Sequence, residues 1–142
     1  MEAGAPPRIE VLGGVAPYLL VNGANAAADF YIQAFGAEDL ARMPPDAQGR
    51  TMHIHLRING GSVMLSDPYP EHGVEWKPPQ GCTLHLQVDD VDGWWERAVA
   101  AGAVIEMPLQ LMFWGDQYGQ IRDPLGVAWS IAATPKLSLI HI

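Results

Sequence analysis

Cysteine is nearly missing from this chain: Cys82 stands alone among 142 residues, which excludes an intramolecular disulfide and a cysteine-rich zinc site. It is read as lying in an apolar alternating run, so a buried structural thiol is expected. Basic residues are scarce as well. Eight Lys and Arg face sixteen Asp and Glu, for a formal net charge of −8. A nucleic-acid binder needs a basic stripe to displace counterions, so no nucleic-acid partner is expected, and the acidity is read as a solubility feature. No apolar run approaches the ~20 residues that span a bilayer, so no membrane partner is expected either. The opening MEAGAPPRIE lacks a basic stretch followed by an apolar one; no secretory leader is expected, and a cytoplasmic location is the default. The glycine-rich phosphate loops, H-E-x-x-H and G-x-S-x-G are absent too, and with them the chemistries they carry.

What is present is ordinary globular material, 49% hydrophobic and 17% charged, of a length that suits one domain. Met1–Arg8, with a glycine and two prolines, reads as loose. Val15–Val21 reads as a strand, broken by Asn22-Gly23. In Ala24–Phe35 the residues Ala27, Phe30, Tyr31 and Ala34 recur at helical spacing, with Gly36 as a stop. Ala37–Met43 is a weaker strand. Met52–Ile58 alternates, placing Met52, Ile54, Leu56 and Ile58 on one face and His53, His55 and Arg57 on the other. Asn59-Gly60 is a hairpin signal before the return strand Ser62–Ser66. Four prolines and two glycines in Asp67–Gly81 mark a connector.

The order then repeats. Thr83–Val88 is a strand, Val91–Ala101 a helix stopped by Gly102, and Ala103–Met107, Tyr118–Arg122 and Val127–Ala132 are strands. Aligning Val21 with Val88 puts Gly23 on Asp90 and brings Gly36 within one residue of Gly102. A strand, a helix and three strands, twice, argue α+β rather than a doubly wound sheet. The expected organisation is one domain over 9–136, with module one about 15–67, a connector over 68–81 and module two over 82–134. The tail Leu137–Ile142 (LSLIHI) matches the translation of a transposon end used in preparing sequencing libraries; it is read as non-native, and His141 is set aside.

The segments PYLLV, DFYIQAFGAE, HIHLRINGGSVMLSD, VDDVDGWWERAVAAGA and FWGDQYGQIRDPLG, in this order and spacing, carry a resemblance. The chain resembles the vicinal oxygen chelate superfamily, which includes glyoxalase I, bleomycin-binding proteins, fosfomycin-resistance transferases and extradiol dioxygenases, and within it the PhnB-like branch. The resemblance implies two βαβββ modules forming a half-open barrel, a homodimer, and a cup that holds a small-molecule ligand. In the better-known enzymes it also implies a divalent metal held by His and Glu on the first and last strands of each module. Those positions fall here on Ala16, Met64, Thr83 and Ser130. Ala and Met do not bind a hard divalent ion, and lone hydroxyls are poor ligands, so no cofactor is expected at the usual place.

Other residues offer replacements. His53 and His55 share a strand face, and His85 should point into the cup with Thr83; three imidazoles would suit zinc or copper, or these residues simply line a polar pocket. Trp114 and Tyr118, with Phe113, can wall a flat ligand, Asp116 can supply a polar contact or cap a turn, and Tyr18 brings a hydroxyl. Arg122-Asp123-Pro124 reads as turn chemistry. One of Trp94 and Trp95 belongs to the core, and the other to a sheet or dimer contact. Two functions follow. One is a binding protein that sequesters an aromatic or cationic antibiotic-like ligand without metal; the other is a glyoxalase-like lyase or isomerase with a relocated histidine site for metal or acid–base work.

Overall fold

The computed structural model describes residues 9–134, so the expectations for Met1–Arg8 and Leu137–Ile142 lie outside the described residues. Among those described, the elements run β1 (Tyr18–Leu20), α1 (Ala24–Phe35), β2 (Glu38–Arg42), β3 (Ile54–Ile58), β4 (Gly61–Ser66), β5 (Thr83–Gln87), α2 (Val91–Ala101), β6 (Val104–Leu111), β7 (Gln117–Arg122) and β8 (Ala128–Ala133). They make two mixed sheets, β1-β4-β3-β2 and β5-β8-β7-β6. In each sheet the first strand pairs in parallel with the last, and the other neighbours are antiparallel. The βαβββ unit is therefore present twice.

Both helices match the expected spans, since an apolar stripe and a glycine stop define each. Gly36 (φ 66°) and Gly102 (φ 119°) end them in the left-handed conformation, which costs glycine little. The strands differ more. β1 is shorter than expected, because the chain turns at Gly13 (φ 101°) and Pro17 has no amide to donate. The preceding segment still follows β4: Ser62 N donates to Leu12 O at 3.0 Å and Met64 N to Pro17 O at 3.0 Å. β3 begins at Ile54, so Met52 is not in the inner row and is 52% exposed. Cys82 is exposed, not buried, because it ends the connector one residue before β5 and lies outside the alternation.

One core serves both modules. Tyr31 and Phe35 of α1 set their rings 5.1 Å and 4.6 Å from Trp129 of β8, so the first helix packs on the second sheet. Asp123 ties the same elements together. It is 3% exposed and accepts hydrogen bonds from the Tyr31 hydroxyl, from Trp129 Nε1 at 2.9 Å, and from the amides of Leu125 and Val127. It shapes its turn, as expected, and also satisfies donors in the interior. Arg97 of α2 donates to Gln33 O at 2.7 Å, capping the C-terminal end of α1. Trp94 lies on Phe35, and Trp95 packs on β7, where a Cβ at Gly119 would come within 2.5 Å of its ring. With the helices covering one face of each sheet, the opposite faces are left for other work.

Candidate functional site

Alternation decides which side chains reach the open face of the second sheet. Leu84, Leu86, Ile121, Trp129 and Ile131 join the core. Thr83, His85 and Gln87 of β5, Tyr118 and Gln120 of β7, and Ser130 of β8 consequently point the other way. Aromatic rings cross this face in sequence. Phe113 and Trp114, on the β6–β7 turn, meet edge to face at 4.9 Å, and Trp114 meets Tyr118 at 5.6 Å. Tyr118 then stacks on His85 at 6.0 Å and 19°. Phe113 is 95% exposed and Trp114 49%, so the end of the run is open to a ligand or a partner.

Polar groups hold the other end. His85 Nδ1 lies 2.7 Å from the Oγ of buried Ser130, and its Nε2 lies 2.8 Å from Gln87 Oε1. Gln87 in turn donates to Thr134 Oγ1, and Gln120 Nε2 donates to the Tyr118 hydroxyl at 3.0 Å. This network orients the imidazole and phenol rings before any ligand arrives. Asp116 is half-buried in the turn, where its carbonyl accepts from Met112 N at 2.8 Å. Thr83 is exposed at the edge of the face and borders a cavity of about 310 Å³ at the seam between the modules, with His85, Leu12 and Asn59.

The first sheet presents a different face. Residues 9–17 cross part of it: Leu12 N donates to Ser62 Oγ at 2.9 Å, and Arg57 donates to Glu10 O at 3.0 Å. Beneath this cover His55 is 3% exposed, with Nε2 at 2.8 Å from Ser62 Oγ. Burial, then the Arg57 charge and His53, hold its pKa below the ordinary histidine value. His55 is thus a covered residue rather than one lining an open cup. Beyond the cover, the Tyr18 hydroxyl and His53 Nδ1 share a hydrogen bond of 2.8 Å, and burial raises the phenol pKa.

The donors do not fit the metal that the fold implies. Ladder register sets Met64 opposite Tyr18 and Ser130 opposite His85, while Ala16 lies ahead of β1. Ala16, Met64, Thr83 and Ser130 contain no carboxylate or imidazole, so they are not a divalent-metal set. The three-histidine alternative is not assembled. His53 and His55 belong to the first module and His85 to the second, and each has its own partner, Tyr18, Ser62 and Ser130. Among the described residues of one chain no three His, Cys, Asp or Glu side chains gather around a common point. Sequence reasoning missed Gln120 and Ser62; strict alternation from Tyr118 identifies Gln120, whereas Ser62 gains its role from a segment with no periodic pattern.

A duplicated βαβββ chain with a helix against one face of each of its two sheets is a protein of the vicinal oxygen chelate class. The model of the Glyoxalase/Bleomycin resistance protein/Dioxygenase superfamily matches residues 11–131, and the chain belongs to that superfamily. It is 41% identical to the uncharacterized protein Rv0887c of Mycobacterium tuberculosis over 92% of this chain and 79% of that one. The crystal structure of TioX from Micromonospora sp. ML1 is 31% identical, with a TM-score of 0.67 over 85% of this chain and 98% of that one. The PhnB protein of Bacillus cereus, 21% identical with a TM-score of 0.66 over 86% of this chain and all (100%) of that one, shares the fold. No helix among the described residues is long and apolar enough to cross a membrane.

Proposed function

We propose that this protein binds a small flat aromatic ligand, cationic ones included, on the open face of the second module, without a metal. The observation that carries this reading is the ring sequence Phe113, Trp114, Tyr118, His85, which offers stacking surface backed by an ordered polar network. The net charge of −8 favours the approach of cationic over anionic ligands to the protein as a whole. A homodimer completes the cup by laying the first module of one chain, with Tyr18 and Met64, over the second module of its partner. Sequestration needs no reacting group, in keeping with a donor set unsuited to a Lewis-acid metal.

Tryptophan fluorescence titration with metal-free bleomycin and with a planar cationic dye, ethidium, tests it. Saturable quenching in the native protein, weakened at least tenfold in Trp114→Ala and unchanged in Trp76→Phe, which alters a tryptophan of the 68–81 connector outside the ring sequence, is expected. Neither probe should be chemically altered on recovery. Absence of quenching with both probes, or equal quenching in Trp114→Ala, overturns the reading. The Tyr18–His53 pair supports a second reading, acid–base lyase or isomerase chemistry. Turnover of the methylglyoxal–glutathione hemithioacetal that is lost in His53→Gln would favour it instead.

A further inference from the structure

A second pocket, of about 260 Å³, lies on the first module where the β2–β3 connection meets the start of the inter-module connector. It shares no lining residue with the aromatic face. Arg50 dominates its polar side, bonding Asp46 at 2.9 Å and Glu71 at 3.0 and 2.6 Å, and lying 4.4 Å over the Tyr69 ring. That network occupies the carboxylates. Besides the phenol of buried Tyr69, the remaining side-chain heteroatoms of the lining are two thioethers and an imidazole, from Met43, Met52 and His72. Met43 N donates to His53 O at 3.0 Å, which sets Met43 across from His53, the residue that follows Met52. The His72 ring lies 6.4 Å from that of Tyr69.

Two methionines 49% and 52% exposed in a single pocket forgo burial that their side chains would otherwise gain. Thioether and imidazole together form a soft donor set, matched to a soft ion and poor for Mg²⁺ or Ca²⁺. Two carboxylates against one guanidinium leave the surroundings with an excess negative charge, which favours a cation. We propose that Met43, Met52 and His72 form a binding site for a soft monovalent metal ion, Cu(I) or Ag(I). The site is separate from the proposed ligand face and does not depend on it.

The test is anaerobic competition for Cu(I) against bicinchoninate, with methionine-methyl NMR during Ag(I) addition. One equivalent of Cu(I) is expected to transfer to the native protein, and Ag(I) should shift the Met43 and Met52 methyls and the His72 ring protons. The double variant Met43→Leu, Met52→Leu retains apolar volume and removes both sulfurs; its affinity should fall at least tenfold with an unchanged thermal midpoint. His72→Gln should weaken binding by a smaller factor. No transfer to the native protein, or unchanged transfer to the double variant, overturns the proposal.

Discussion

The two modules share a plan and differ in where they put their carboxylates. With Val21 set on Val88, Gly23 falls on Asp90 and Asp67 falls on Thr134. Module two caps its helix locally: Asp90 accepts from Gly93 N at 3.1 Å. Module one has Gly23 at the cap and borrows a carboxylate from the end of β4. Asp67, 4% exposed, accepts from Gly23 N, Ala24 N and Thr51 N at 2.8 to 3.0 Å. The same helix-end requirement is thus met once by a surface residue and once by a buried one. The open faces diverge in parallel: residues 9–17 cover part of the first, while the second keeps its rings exposed. The first half of this duplication is therefore the more closed, and the second leaves its aromatic face exposed.

The largest effect should come from the group that joins the halves. Asp123→Ala leaves the Tyr31 hydroxyl, Trp129 Nε1 and two amides without their acceptor in the core. A loss of about 4 kcal/mol is expected by urea denaturation. If Asp123→Ala cost no more than a surface substitution, Asp123 would not join the modules energetically.

The two caps give the next test. Asp67→Ala strands three amides, two of them buried, and should cost about 3 kcal/mol, whereas Asp90→Ala removes one exposed cap and should cost about 1 kcal/mol. Equal losses would erase the distinction drawn between a borrowed and a local cap.

The features legible in the sequence were those with a period or a punctuation mark. Ala24–Phe35 and Val91–Ala101 were readable to the residue because both signals coincide there. β6 runs past Met107 to Leu111, since the bulges in its pairing with β7 hide the alternation. Trp114 and Tyr118 were recognisable as neighbours through their short separation, and the ring sequence as far as His85 needed the β5–β8–β7 register. The covering of His55 was not legible at all. It depends on residues 9–17 following β4, and glycine and proline there carry no strand pattern.

That covering leads to the smallest predicted effect, a pH dependence confined to module one. The His55 pKa is lowered in the folded chain, so the unfolded chain takes up the proton more readily. The associated stability is present above the ordinary histidine pKa of about 6.5 and is lost as pH falls through it toward the lower folded value. Glu71, held down to about 2 by Arg50, acts in a separate window, losing its contribution as pH falls from 4.5 toward that value. A thermal midpoint that drops below pH ~6.5 in the native protein and is flat across that step in His55→Gln is expected. Removing residues 1–14 should uncover the ring and return its pKa, followed by NMR titration, toward the ordinary value. If the pKa stays low after truncation, the neighbouring Arg57 charge rather than the cover sets it, and the two open faces differ in charge more than in access.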